Sequence, residues 1–263
     1  MTDARSSATA TATPPDTDLA ARVVDAVKIY GSGDTTVTAL DGVSVDFPRG
    51  EFTAVMGPSG SGKSTLIQCM AGLDSLTSGS TMLNGVELST LNDRELTLLR
   101  RRQVGFVFQA FNLVPTLTLH ENIELPIRLD RDHIDHGWLT NLVGRLGLAD
   151  RMHHKPTELS GGQQQRGAVA RALGTRPAMV FADEPTGNLD QKSGTEVLNF
   201  LREAVNEFNQ SIVMVTHDAA AAAYADRVIF LVDGKIVREL RDPNRDSILD
   251  LLKELGDDTH KGA

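Results

Sequence analysis

The residues with the clearest chemistry are nine in a row, Gly57-Pro58-Ser59-Gly60-Ser61-Gly62-Lys63-Ser64-Thr65. Glycines let main-chain N–H groups turn inward around an anion, and a helix beginning near Lys63 adds the positive end of its dipole. This spacing suits a loop that cradles nucleotide phosphates. Lys63 is expected at the β- and γ-phosphates, the Ser64 hydroxyl on Mg2+, and Thr65 on a phosphate oxygen nearer the base. Two acids, Asp183 and Glu184, directly follow the apolar run 178–182. Behind a phosphate loop, Asp183 is placed to hold Mg2+ and Glu184 to polarise a water for attack on the γ-phosphate. Gln109 and His217 also follow apolar runs, at 104–108 and 211–215. Gln109 reads as a contact to Mg2+ or the attacking water, and His217 as a contact to the γ-phosphate; taken singly, each is equally a loop residue.

A second anion site is legible at Ser160-Gly161-Gly162-Gln163. Ser160 is a good helix N-cap, and the two glycines leave the first N–H groups of the helix uncovered. Since one nucleotide already has its phosphates in the first loop, this site makes sense as a cap on the γ-phosphate from the other side. Tyr30, one of two tyrosines in the chain, ends an apolar run and can stack on an adenine or simply pack.

The elements that must position these groups alternate along the chain. Val23, Val24, Val27 and Ile29 suggest a strand ending at Tyr30, and Val43, Val45 and Phe47 alternate with polar residues as in a half-buried strand. The run 52–56 leads into the phosphate loop, and 66–71 continues it as helix. Residues 80–88 read as a strand interrupted at Asn84-Gly85, Asn92 with Glu95 as a helix start, and 119–127 and 138–148 as helices. Val197, Leu201, Ala204, Val205 and Phe208 share one helical face, and Asp233-Gly234 marks a hairpin turn between 228–232 and 235–239. Asp218 is read as the cap of the alanine-rich run 219–225, and Ser247 as the cap of a short helix that Gly256 ends. Residues 1–20, rich in Thr, Ala, Ser, Asp and Pro, read as a disordered tail, 21–245 as the folded domain, 246–256 as the C-terminal helix and 257–263 as a polar tail.

Composition narrows the function. A chain of 263 residues can bury a large core, and a net charge of -9 argues against general nucleic-acid binding, a local basic patch apart. One cysteine, Cys69, excludes an internal disulfide and reads as a small core residue. No apolar run approaches membrane-spanning length and no secretory signal is visible, so the chain reads as cytoplasmic, with any membrane role supplied by a partner. His133 with His136 and His153 with His154 fit no structural zinc pattern and read as solvated polar positions.

Taken together, the motifs resemble the ATP-binding-cassette (ABC) transporter ATPase over about residues 22–240. Gly57 to Thr65 matches the Walker A loop, Gln109 the Q-loop, and Leu159-Ser160-Gly161-Gly162-Gln163 the LSGGQ signature. Asp183 with Glu184 matches the end of Walker B, Gly187-Asn188-Leu189-Asp190 the D-loop, His217 the switch histidine and Tyr30 the adenine-stacking aromatic. The resemblance implies an α/β fold: a P-loop NTPase core with a mainly parallel sheet, an N-terminal antiparallel β subdomain and an inserted α-helical subdomain at about 111–165. It also implies ATP and Mg2+ as ligands, a head-to-tail homodimer around two ATP, and a separate membrane permease docking after Gln109, where Phe111 to Pro115 form an apolar cluster.

Within the family, residues 182–190 and 111–116 are similar to the bacterial branch that serves macrolide and peptide export, lipoprotein release and cell-division signalling. Uptake ATPases more often carry a serine-alanine pair at Gly187-Asn188. An uptake ATPase and a non-transport cassette are the alternatives. The chain lacks the long coiled-coil insertions of DNA-repair relatives and the joined cassettes of the translation type. Gly167 departs from the branched apolar residue usual in the family, and predicts a somewhat looser signature helix.

Overall fold

The structure, a computed structural model, describes residues 18–130 and 134–261. The readings made on residues 1–17, on His133 and on the last two residues lie outside it. Two sheets build the molecule. A four-stranded antiparallel sheet has the order β2-β1-β4-β5, with β1 Leu19–Tyr30, β2 Val37–Pro48, β4 Ser78–Leu83 and β5 Val86–Glu87. A six-stranded sheet has the order β10-β9-β3-β8-β7-β6. Its members are β3 Phe52–Met56, β6 Val104–Phe108, β7 Met179–Asp183, β8 Ser211–Val215, β9 Arg227–Val232 and β10 Lys235–Arg241. All its pairings are parallel except the β9–β10 hairpin.

Sequence explains this sheet directly. Every residue of β3 and of β8 is buried, and apart from Thr53 and Ser211 all are apolar rather than alternating, as a sheet covered on both faces requires. The β9–β10 turn places Asp233 at φ +46° and Gly234 at φ +76°, the two left-handed positions that a two-residue hairpin needs. The predicted interruption at Asn84-Gly85 is likewise a turn, between β4 and β5.

Helices cover the sheet. They are α1 Lys63–Met70, α2 Asp93–Gln103, α3 Leu119–Asp130, α4 His136–Arg145, α5 Gly161–Leu173, α6 Gln191–Phe208, α7 Ala219–Ala222 and α8 Arg245–Lys261. Asn92 and Glu95 form the expected reciprocal capping box at α2. One core lies on the face of the six-stranded sheet covered by the antiparallel sheet and α1, and includes Phe47, Leu66, Met70, Phe181 and Cys69. The other lies under α3 to α6 and includes Phe52, Ile123, Val169, Leu201 and Phe230. The apolar face of α6 enters this core as its periodicity predicts.

Four boundaries differ from the sequence reading. The first strand starts at Leu19, within the stretch read as tail. Asp218 does cap a helix, through its bond to the Ala220 N–H, but the alanine run is helical only to Ala222. At the C-terminus, Asn244 rather than Ser247 is the cap: its side chain accepts the Ser247 N–H at 2.9 Å, and Ser247 Oγ accepts the Asn244 N–H at 3.1 Å. Gly256 does not end α8, which continues to Lys261, because a single glycine raises the cost of a helix by only about 1 kcal/mol and does not stop it. Among the described residues, no helix is long and apolar enough to cross a membrane.

Candidate active site

Four parallel strands deliver the candidate residues to one edge. Phe108 pairs with Asp183, Asp183 with Val215, and Val215 with Val55. Gln109, Glu184, Thr216 and Gly57 therefore leave the sheet at its carboxyl end at nearly the same level, where open α/β sheets collect ligands.

The phosphate loop is held between the two sheets. Gly57 has φ +152° and Gly62 φ +100°. A Cβ at Gly57 would strike the Leu231 carbonyl of β9, and one at Gly62 the Ala39 carbonyl of β2. Only glycine fits at either position. Lys63 opens α1, and its Nζ donates to the Gly57 carbonyl at 2.9 Å and the Pro58 carbonyl at 2.7 Å. Burial lowers the Lys63 pKa, against the opposing pull of the Glu184 and Asp183 carboxylates. Ser61 Oγ is buried inside the loop with no hydrogen-bond partner among the described residues.

Across the loop, Ser64 Oγ stands 3.5 Å from Asp183 Oδ1. The Asp183 carboxyl is pushed above the usual carboxylate range, first by burial and then by the Glu184 charge. A divalent cation would answer both causes. The next residue, Glu184, has φ +47°, a left-handed conformation that is uncommon outside glycine. Its N–H donates to the Val215 carbonyl at 2.9 Å. Its carboxylate faces His217 Nδ1 at 2.8 Å and Thr216 Oγ1 at 3.4 Å. Asp183, Glu184, Lys63, Ser64 and His217 thus lie together at this edge.

Gln109 is placed differently. It leaves the end of β6, but its side-chain amide donates to Asn188 Oδ1 at 3.1 Å, and Asn188 Nδ2 returns a bond to the Gln109 carbonyl at 3.0 Å. Gly187 allows this, since a Cβ there would press on the Gln109 amide at 2.7 Å. The amide expected at metal or water is engaged with the loop after β7.

Sequence reasoning passed over Gln165, which lies fully buried on α5 and donates to the carbonyls of Phe108, at 3.2 Å, and Pro185. Its signal was only a polar residue on the inner face of an otherwise small apolar helix.

At the second anion site, Ser160 is the N-cap of α5. Its Oγ accepts the Gln163 N–H at 3.3 Å, and Gln163 Oε1 accepts the Ser160 N–H at 2.9 Å. Helix geometry then leaves the N–H groups of Gly161 and Gly162 without a carbonyl behind them. Gly162 packs on α6, where a Cβ would meet Ser193 Oγ at 2.7 Å. Gly167 is a close-packing position rather than a loose one: a Cβ there would come within 2.5 Å of Leu119 Cδ1 on α3. Tyr30 is partly exposed at the end of β1.

The ABC transporter family model matches residues 40–187, from β2 through the loop that follows Glu184. The chain belongs to the ABC transporter family. Among curated ABC proteins, it is 46% identical over 243 residues to the uncharacterized ABC transporter ATP-binding protein YvcR of Bacillus subtilis, covering 89% of this chain and 94% of that one. It is 45% identical over 214 residues to the macrolide export ATP-binding/permease protein MacB of Bdellovibrio bacteriovorus. That match covers 81% of this chain but 33% of MacB, so the ABC chain described here spans about a third of that relative. Among solved structures, the dimeric ABC transporter cassette MJ0796 superposes with a TM-score of 0.77 at 39% identity, covering 85% of this chain and 99% of that one. The same cassette, which comes from Methanocaldococcus jannaschii, matches equally well in a post-hydrolysis state bound to ADP and Pi.

Proposed function

We propose that this chain is the ATP-hydrolysing subunit of an ABC transporter, working as a pair of identical cassettes on a separate membrane permease of the export type. The observation that carries the reading is the convergence of Lys63, Ser64, Asp183, Glu184 and His217 at the carboxyl edge of one parallel sheet. In this reading the N–H groups of the loop 57–65 and Lys63 Nζ bind the β- and γ-phosphates of ATP, and Tyr30 stacks on the adenine. Lys63 exchanges its two carbonyl partners for phosphate oxygens.

Ser64 and Asp183 are the residues that would hold Mg2+, directly or through water, and the ion would supply neutralisation of phosphate charge. Glu184 accepts a proton from the attacking water while the water oxygen bonds to the γ-phosphorus, and the bond from that phosphorus to the bridging oxygen breaks to leave ADP. His217 and Thr216 aim the Glu184 carboxylate. Gln109 reaches the site after parting from Asn188.

Ser160, Gly161, Gly162 and Gln163 of one cassette face the γ-phosphate held by the other, which gives the uncovered N–H groups of α5 their purpose. Loss of that phosphate removes the bridge and lets the pair open. The permease docks on the cytoplasmic side beside edge strand β6. A groove of about 330 Å³ there is lined by Phe106, Phe108, Pro126, Arg171 and Thr175. The rings of Phe106 and Phe108 stack with centroids 5.0 Å apart. Arg171 donates to the carbonyls of Phe111 and Asn112, two consecutive left-handed residues, and so fixes the turn after Gln109. Export rather than uptake is favoured by the likeness to MacB over most of this chain.

The test is Glu184→Gln. It should keep ATP binding, lower turnover by about 10²-fold or more, and accumulate an ATP-bound dimer on gel filtration. Wild-type turnover in that variant would refute the assigned base, and a strict monomer under those conditions would refute the paired site.

A further inference from the structure

The Tyr30 ring is held by groups distant in sequence. Its hydroxyl donates to Asp74 Oδ2 at 2.7 Å. The other oxygen of that carboxylate takes Lys28 Nζ at 2.6 Å. The same ammonium lies 4.8 Å from the centroid of the Tyr30 ring, over its face. Lys28 also donates to the Ser75 carbonyl at 2.7 Å, and the Ser75 N–H donates to Asp74 Oδ1 at 2.7 Å, so the carboxylate is anchored in the turn after α1. The Lys28 side chain is only 12% exposed, so its charge is spent within this cluster.

These contacts leave little freedom to the ring. The bond to Asp74 fixes its far edge, and Lys28 covers one face through a cation–π contact. Tyr30 is 39% exposed, so part of its surface stays open to a flat partner. The pair is part-buried, and closing it fixes both side chains around the ring. A ring fixed before its partner arrives loses less rotational freedom on stacking, and that saving appears as affinity.

We propose that Asp74 is the positioning residue of the adenine platform: through Tyr30 Oη and Lys28 Nζ it holds the Tyr30 ring in the orientation that receives the base of ATP. This rests on the reading of Tyr30 as the base-stacking residue. Asp74 does not itself touch the base.

The experiment measures KM and kcat for ATP, and inhibition by inorganic tripolyphosphate, in the full chain and in Tyr30→Ala, Asp74→Ala, Asp74→Asn and the double variant Tyr30→Ala/Asp74→Ala. Tyr30→Ala should raise KM about tenfold or more, the scale of one base–aromatic stack. Asp74→Ala should raise KM about threefold to tenfold with kcat at saturating ATP retained, and add nothing in the Tyr30→Ala background, because both act through one ring. Asp74→Asn keeps an acceptor for the phenol and should recover part of the loss. Tripolyphosphate has no base, so its inhibition constant should not move in any variant.

Three results would overturn the proposal: an unchanged KM in Asp74→Ala, an equal loss of tripolyphosphate binding, or an Asp74→Ala effect that persists without the Tyr30 ring. If Tyr30→Ala leaves the KM for ATP unchanged, the base-stacking reading itself fails and the platform falls with it. If Tyr30→Ala raises KM and Asp74→Ala does not, only the role of Asp74 fails.

Discussion

His217 Nδ1 stands 2.8 Å from Glu184 Oε1, although 33 residues separate them in sequence. The pairing follows from strand register. Asp183 and Val215 are level in adjacent parallel strands, so the residues just beyond each strand meet. Glu184 adopts φ +47° in the process, a conformation that costs about 1–3 kcal/mol and persists because the Val215 carbonyl holds its N–H. Strain at the residue assigned as base keeps its carboxylate within reach of both His217 and Thr216.

His217→Ala should lower kcat by about 10²-fold while changing ATP affinity little, since it removes the group that aims Glu184 and leaves the phosphate loop intact. Steady-state hydrolysis and equilibrium nucleotide binding measure the two effects separately. A parallel loss of affinity would make His217 a binding residue instead.

Asp183→Asn should stabilise the fold while abolishing Mg2+-dependent hydrolysis. Burial and the Glu184 charge raise the folded-state pKa of Asp183. A carboxyl so raised opposes folding at every pH above its folded pKa, and the penalty disappears as pH falls below its unfolded value. The Tm gain of the variant should therefore be present at pH 8 and shrink on acidification. An equal gain at both pH values would separate it from the titration of Asp183.

Gly62→Ala should cost about 1–3 kcal/mol in chemical denaturation, because a Cβ meets the Ala39 carbonyl at a left-handed position. Gly60→Ala is the control. Its φ is also positive, but no atom stands within 4 Å of the added Cβ, so only the backbone cost of about 1 kcal/mol applies. Equal losses would show that the contact with β2 does not matter.

Gly167→Val restores the branched residue that the family resemblance leads one to expect, yet it should destabilise by about 1–3 kcal/mol through overpacking against Leu119. Adding Leu119→Ala should relieve part of that loss. A stabilising Gly167→Val would mean that the α3–α5 contact yields easily.

Cys69 should resist alkylation at pH 8 in the folded protein and react on unfolding. It is 3% exposed, and burial pushes its thiol up to about 11, so the reactive thiolate is scarce. Maleimide labelling with and without urea checks this.

What was legible in the sequence was local or repeated in a short motif. The phosphate loop, the Asp183-Glu184 strand end, the Asn92–Glu95 capping box and the Asp233-Gly234 hairpin each depend on residues within a few positions of one another. Pairings chosen by the tertiary structure were hidden. Nothing near Gln109 announces Asn188, 79 positions on. Lys28 and Asp74 look like separate surface charges until β1 and the turn after α1 are brought together. Gly167 read as a flaw in a helix because its meaning lies in Leu119 of another helix. Gly256 looks like a stop by local propensity, yet α8 runs through it to Lys261.

The buried amide of Gln165 ties α5 to carbonyls at the ends of two neighbouring strands, those of Phe108 and Pro185. That makes a fulcrum. Were α3 to α5 to swing as a body about this side chain, the Ser160 tip and the Leu173 end of α5 would travel in opposite directions, the Leu173 end through the wider arc because it lies farther along the helix. A displacement at the two strand ends would then reach both ends of α5 together, because one amide is fastened to both.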